Sequence, residues 1–317
     1  MQPLPPTSRG PTRLPPRTRP TTAERPRFAK VEVVANVASG SVGVDAPAQL
    51  EAIFAEYGIA ANIAAPEIKG IAESLAAAVA ARPDLLIVLA GDGTARTAAE
   101  LCGPDGPAIA PLPGGTMNML PHAVYGVRPW PEALRLALEQ GEERVVGGGQ
   151  VEGHRFLCGA ILGSPALWAP AREAVRQGKV RLAWLRARRA FDRAFTGRLR
   201  YALDGSARAK AEALVLMCPI ASKALDTEAQ ALEAAALNIY GAGEALRLGV
   251  NAIVRDWRFD PGVENQTCQV ARVWSAQPIP AILDGETVKL SSLTEIRYEP
   301  AVCRILAPPK DAAGGLA

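Results

Sequence analysis

The chain has 317 residues, 49% of them hydrophobic, with 35 Lys and Arg against 32 Asp and Glu for a formal net charge of +3. That is enough apolar material for a sizeable core and two domains, and the whole-chain charge singles out no class of partner. Two histidines, His122 and His154, argue against a His-rich metal centre or a His-based triad. Five scattered cysteines with no CxxC pair (Cys102, Cys158, Cys218, Cys268, Cys303) read as reduced thiols of a cytosolic protein, not a zinc site or disulfide framework.

Residues 1–27 are rich in Pro, Thr and Arg, lack the apolar core of a secretory signal, and read as a disordered tail; a basic tail touching anionic lipid is the alternative. No apolar run approaches the ~18 residues of a membrane-spanning helix. Order is expected from about Phe28. Lys30–Ala35 reads as a β-branched strand ending in Asn36-Val37-Ala38-Ser39-Gly40. Pro47–Tyr57 has helical spacing, with Leu50, Ile53 and Phe54 on one face and Pro47 suited to the first helical position. A weak strand at Ala60–Ala64, an Ala-rich helix at Glu67–Ala81, a strand at Leu85–Ala90, a helix at Thr94–Leu101 and a strand at Ala108–Pro111 follow. Strands alternating with helices imply a parallel sheet covered on both faces, with ligands beyond the carboxyl ends of the strands.

Three small-residue turns fall on that rim: Asn36–Gly40, Gly91-Asp92-Gly93-Thr94, and Gly114-Gly115-Thr116-Met117-Asn118. Glycine lets the backbone approach a phosphate closely, and a following helix offers unpaired N–H groups. An acid inside such a turn makes sense beside a metal ion or an attacking hydroxyl. Asp92 as a mere helix cap is the alternative, with Thr94 the better-placed cap.

After about Gly147 the pattern changes to short strands: Gln150–Leu157, Gly159–Gly163, Leu199–Leu203, Ala211–Met217, Ala236–Tyr240, Cys268–Trp274, Ile279–Leu283, Val288–Leu290 and Glu295–Tyr298. Helical patterns interrupt them only at Pro165–Phe195 and Gly243–Ile253. This argues for an antiparallel sandwich or barrel. From Arg172 to Arg200 ten basic residues stand against Glu173 and Asp192, with Leu182, Trp184, Leu185, Phe191 and Phe195 among them. Such a segment suits an anionic membrane surface. A solvated helix with its apolar side packed on the second domain explains it equally well, and no recognised motif supports nucleic acid. His122 reads as a packing or capping residue and His154 as a surface strand residue.

Four segments in order, Asn36–Gly40, Gly91–Thr94, Gly115–Asn118 and Asp284-Gly285-Glu286, resemble the diacylglycerol kinase catalytic-domain family, which includes bacterial lipid kinases and the sphingosine and ceramide kinases. The resemblance spans about residue 28 to Pro308. It implies an N-terminal α/β nucleotide-binding domain (28–146), a C-terminal antiparallel β-sandwich lipid domain (147–289), and an active site in the cleft between them. It also implies that about 290–310 packs back on the first domain. Carried over, Asn36, Ser39 and Gly40 would touch nucleotide. Gly91, Asp92, Gly93 and Thr94 would form the phosphate and metal turn, and Gly115, Thr116 and Asn118 would close the other side. A lipid hydroxyl attacking the γ-phosphate of ATP needs in-line positioning, Mg²⁺ and a carboxylate to accept the proton. Asp284 is favoured as base, with Glu286 assisting or binding metal; the reverse assignment stays open, and Asp92 is the other metal candidate. Asp284-Gly285 also suits a plain hairpin turn.

The chain departs from the family's pattern in four places. Ala90 stands for a Gly, Met119 stands where an Asp is common, no Thr in Asn62–Pro66 matches the family's nucleotide contact, and Ala231–Asn238 holds Glu233 but no Asp-Gly. The last points to loss of a structural metal site. The expected function is an ATP-dependent lipid kinase acting on diacylglycerol or a sphingolipid such as ceramide. It would be cytoplasmic and peripheral at the inner membrane face, without nucleic acid and with homodimerisation open. A soluble-substrate kinase of the NAD-kinase type, or a non-catalytic nucleotide- or lipid-binding protein, are the alternatives.

Overall fold

The computed structural model describes residues 27–163, 199–226, 228–238 and 263–309. The tail 1–26, the helical patterns at Pro165–Phe195 and Gly243–Ile253, and all of the basic segment except Arg200 lie outside the described residues.

Strand β1 (Val31–Ala35) passes through helix α1 (Ala46–Glu56) to β2 (Ala61–Ala64). A 3₁₀ turn (Ile68–Gly70) and α2 (Ile71–Ala80) lead to β3 (Leu85–Ala90), and α3 (Asp92–Cys102) leads to β4 (Ala108–Pro113). All four strands are parallel, in the order β2-β1-β3-β4. Every residue of β1, β3 and β4 is buried, because helices cover both faces of the sheet and remove any alternation. The one acid among them, Glu32, accepts a hydrogen bond from Asn62 Nδ2 at 2.7 Å, its register partner on β2. Leu50, Ile53 and Phe54 face the core from α1 as their spacing predicts; Pro47 is the second helical residue, after Ala46. The order reverses between β1 and β3, so the turns leaving these two strands flank the switch point where α/β sheets bind ligands. Two helices absent from the sequence reading, α4 (Met119–Tyr125) and α5 (Trp130–Gln140), pack against β4.

The remaining strands are antiparallel to one another. They are β5 (Glu142–Val151), β6 (His154–Phe156), β7 (Gly159–Gly163), β8 (Leu199–Leu203), β9 (Ala209–Ala211), β10 (Ala213–Met217), β11 (Leu232–Leu237), β12 (Val263–Cys268), β13 (Val270–Trp274), β14 (Ile279–Leu283), β15 (Glu286–Leu290) and β16 (Leu293–Ala307). One sheet runs β12-β11-β10-β7-β14-β15. The other joins β16, β13, β8 and β9 to the parallel sheet of the first domain. Leu162, Leu214 and Leu216 of the first of these meet Tyr201, Val273 and Ile296 of the second in a separate core.

Strand β16 belongs to both domains. Its first half pairs with β13, and near its end Ile305 pairs in parallel with Ile109 of β4. Its register against β5 slips between Glu299 and Cys303, at Pro300, which has no N–H to give the ladder. Buried Tyr125 donates its hydroxyl to Leu306 O at 2.7 Å and pins this end to α4.

Several boundaries differ from the sequence reading. The expected strand at Ala236–Tyr240 is β11, four residues earlier, because Glu233 interrupts an apolar run yet is itself buried, taking the Ser222 hydroxyl. Gln150–Leu157 is a hairpin turned at Glu152-Gly153, both with positive φ. Ala211–Met217 divides at Glu212, and Cys268–Trp274 divides at Gln269. All five cysteines are buried free thiols. Among the described residues no helix is long and apolar enough to cross a membrane.

Candidate active site

The three turns on the sheet rim lie against one another. Gly114 N donates to Ala90 O at 3.1 Å, and Ser41 N donates to Gly114 O at 3.4 Å. A Cβ on Gly115 would stand 2.7 Å from Gly91 Cα, so these two turns touch backbone to backbone and Gly115 has no room for a side chain. A Cβ on Gly40 would lie 3.9 Å from Thr116 Oγ1, which brings the first turn to the third. Asn36 Oδ1 accepts its own loop's Ala38 N at 3.2 Å, and Ser39 N donates to Asn36 O.

Asp92 opens α3 behind Gly91, whose extended backbone makes it the N-cap. Thr94 is therefore the third residue of the helix and not its cap, as the sequence reading supposed; its amide donates to Gly91 O at 3.1 Å. The Asp92 carboxylate reaches sideways to the start of α4, where Oδ1 accepts Leu120 N at 3.1 Å. Burial pushes its pKa up, while the amides of Leu120, Met119 and Asn118 and the nearby His122 pull the other way. Asn118 takes a left-handed conformation (φ 50°) as N-cap of α4, and its side-chain amide closes on Gly115 from both ends. Oδ1 accepts Gly115 N at 2.7 Å and Nδ2 donates to Gly115 O at 3.1 Å. Asn118 thus shapes the turn, and its amide is occupied within it.

The second domain approaches through the β14–β15 hairpin. Asp284 and Gly285 both have positive φ (46° and 87°), the two-residue turn that an Asp-Gly pair favours. The buried Asp284 carboxylate turns into its own domain. It accepts Leu157 N at 2.6 Å, Cys158 N at 2.8 Å and Gly159 N at 2.9 Å, locking the hairpin to the β6–β7 turn. Burial raises its pKa; the three amides and the charge of Arg96 act against that.

Glu286, the first residue of β15, points the other way. Its carboxylate lies on Gly93, where a Cβ would overlap it, and it pairs with Arg96 of α3. Gly285 faces the third turn: a Cβ there would meet Met119 Sδ at 3.7 Å and Met117 Cγ at 3.9 Å. Thus Glu286 meets Gly93 and Arg96 at the junction of the two domains, Met117 and Met119 lie beside Gly285, and the carboxylate of Asp284 is withdrawn from this junction. The sequence reading missed Arg96. The available signal was its spacing, three residues after Gly93 and so on the same helix face.

Residues 30–151 match the profile of the diacylglycerol kinase catalytic domain. This part of the chain belongs to the diacylglycerol kinase catalytic-domain family. It is a kinase domain, and the fold of the whole chain agrees with that. The chain is similar to a diacylglycerol kinase structure from Bacillus anthracis str. Sterne, with 15% identity and a TM-score of 0.64 over 89% of this chain and 98% of that one. A second structure from the same strain, assigned as a diacylglycerol kinase, gives 18% identity and a TM-score of 0.67 over the same shares. No curated protein sequence matches the chain.

Two family expectations meet specific geometry here. Met119 packs partly into the core of the kinase domain and partly against the hairpin, so this position contributes an apolar wall to the cleft and no charge. Among the described residues no three His, Cys, Asp or Glu side chains come together. A magnesium ion that keeps phosphate oxygens and water as most of its ligands needs only one or two carboxylates, and the cleft offers Asp92 and Glu286.

Proposed function

We propose that the chain transfers the γ-phosphate of ATP to a hydroxyl of a membrane lipid, either diacylglycerol or a sphingolipid such as ceramide. The observation that carries this is the meeting of Glu286 with Gly93: a carboxylate from one domain lies over the glycine turn of the kinase domain. The backbone of Gly91, Gly93 and Gly115 can approach phosphates closely, and the first amides of α3 have no acceptor within the helix. Asp92 is the residue that would hold Mg²⁺, which when bound neutralises charge on the phosphate oxygens.

Glu286 is the proton acceptor in this reading, in preference to Asp284. Its carboxylate is half exposed in the cleft, whereas that of Asp284 is buried under three backbone amides. The lipid oxygen forms a bond to the γ-phosphorus as the bond to the β–γ bridging oxygen breaks. The hydroxyl proton passes to Glu286, and ADP leaves with the bridging oxygen. Asp284 is then a positioning residue that fixes the hairpin carrying Glu286. The lipid would be met at the cytoplasmic face of a membrane, a placement supported by the net +8 of Arg172–Arg200.

The test is incubation with ATP, Mg²⁺ and a panel of diacylglycerol, ceramide, sphingosine and monoacylglycerol, with the product identified by mass. One phosphorylated lipid is expected, and Glu286→Gln should remove it while leaving the fold intact. Full transfer by Glu286→Gln, or no product from any lipid, would overturn this reading.

A further inference from the structure

Arg96 of α3 and Glu286 of the β14–β15 hairpin form a charge pair between the two domains, and the pair sits on the phosphate turn itself. The two partners are unequally placed: the Arg96 side chain is 19% exposed and that of Glu286 is 49% exposed. Arg96 stands one turn along α3 from Gly93, so its guanidinium is held beside the helix start by the helix itself. Glu286 arrives from the opposite domain on a two-residue turn. Its carboxyl carbon lies 3.3 Å from the position a Cβ of Gly93 would take.

That position is electrically suited to an anion. Asp92 and Gly93 are the first residues of α3, and their amides and the helix dipole favour negative charge there. In the structure the protein's own carboxylate takes that place. A nucleotide phosphate and the Glu286 carboxylate are both anions, and they cannot share one glycine and one guanidinium without strong repulsion. Arg96 is able to serve either, since a guanidinium binds carboxylate and phosphate with the same planar fork.

We propose that Arg96 and Glu286 are a latch that ATP opens: Arg96 passes from the Glu286 carboxylate to the terminal phosphate, and Glu286 is released toward the acceptor hydroxyl. This rests on the kinase reading given above and adds to it a residue and an order of events. Glu286 is held on the phosphate turn until a triphosphate displaces it, so the base becomes free only when there is a phosphate to transfer. Arg96 then neutralises charge on the transferring group, in a cleft where Met117 and Met119 supply none. A diphosphate, lacking the terminal group, does not recruit Arg96 in this way.

The test compares ATP and ADP binding by calorimetry on the full chain, with far-UV circular dichroism as the check of folding. Glu286→Gln should bind ATP severalfold more tightly than the unmodified chain, because the competing anion is gone, although its turnover is lost. Arg96→Ala should weaken ATP about tenfold, the worth of one charge-assisted hydrogen bond, and change ADP little. Arg96→Lys should recover part of the ATP loss. In steady state Arg96→Ala should raise KM for ATP and lower kcat. Equal loss for ATP and ADP in Arg96→Ala, or unchanged ATP affinity in Glu286→Gln, would overturn the latch while the kinase reading stands. An unmodified chain that binds neither nucleotide overturns both.

Discussion

Asp92 and Leu120 join the two glycine-rich turns: the carboxylate of the first residue of α3 accepts the Leu120 amide of α4 at 3.1 Å. The acid of the Gly-Asp-Gly turn therefore helps to hold the cleft in shape as well as lining it. Its companion on the other side, Asp284, performs the same kind of anchoring for the hairpin. Both carboxylates exchange water for backbone amides, which accounts for the opposing influences on each pKa.

This double use of Asp92 can be separated by substitution. Asp92→Ala removes the oxygen that satisfies α4 and should cost about 1–2 kcal/mol of stability, the usual worth of a helix cap. Asp92→Asn keeps an oxygen there and should cost less, yet lose phosphate transfer as fully as Asp92→Ala. Urea midpoints beside transfer assays check this; retained transfer in Asp92→Asn would confine the residue to its anchoring role.

Asp284 should behave in the opposite sense. Asp284→Ala leaves three buried amides unpaired and places Ala at positive φ, for an expected loss of about 3 kcal/mol or more. Asp284→Asn tolerates the backbone conformation and retains one acceptor, so it should be less destabilised and should keep measurable transfer. If Asp284→Asn is folded but inactive while Glu286→Gln is active, the proton acceptor is Asp284 and the roles proposed above are reversed.

Two glycine substitutions should divergently affect fold and activity. Gly115→Ala would drive a Cβ to within 2.7 Å of Gly91 Cα, backbone that has no room to move, at an expected cost of about 1–3 kcal/mol. Gly93→Ala meets only the end of the flexible Glu286 side chain. Its Tm should be unchanged or slightly raised, as Ala is the better helix former by up to about 1 kcal/mol. Its activity should nevertheless fall, because a Cβ on the turn keeps a nucleotide phosphate from approaching the backbone closely. Thermal melts and transfer assays on both variants decide the point.

The thiols set an alkaline limit. Burial pushes Cys102 from the ordinary 9.0 to about 11 and Cys268 and Cys303 to about 12, with Cys158 and Cys218 also raised. Because the folded chain holds these protons more tightly than the unfolded one, stability is full below about pH 9 and is lost as pH rises through 11 and 12. The urea midpoint should therefore drop between about pH 9 and about pH 12. A thiol-reactive dye at neutral pH should label the native protein slowly and all five cysteines once it is unfolded.

The parts that were legible in the sequence are those where one local rule acts alone. Leu85–Ala90 is a continuous apolar run bounded by glycine, and its strand has those ends because burial on both faces demands that composition. The helical pattern is visible only from Thr94, two residues after α3 begins, since Asp92 and Gly93 are poor helix formers that the helix nevertheless uses in its first turn. The sequence shows only the end of β5, at Gln150, because Glu142, Glu143 and Arg144 lie at its start and Gly147–Gly149 in its middle, and it forms by pairing with β16, about 150 residues away. Strand β16 itself continues past Pro300, where a sequence reading stops.

The sequence by itself determined the kinase domain's strand–turn–helix order and that three glycine turns share one rim. These follow from short-range apolar patterning and from the rule that ligands gather at strand C-termini. Only the tertiary structure decided which carboxylate faces the cleft. Asp284 and Glu286 are two residues apart with the same chemistry, and the sequence cannot tell a buried anchor from an acid that reaches across to the other domain. The positive-φ turn sends the first into the amides of Leu157–Gly159 and the second across to Gly93 and Arg96, an arrangement made by packing between domains far apart in the chain.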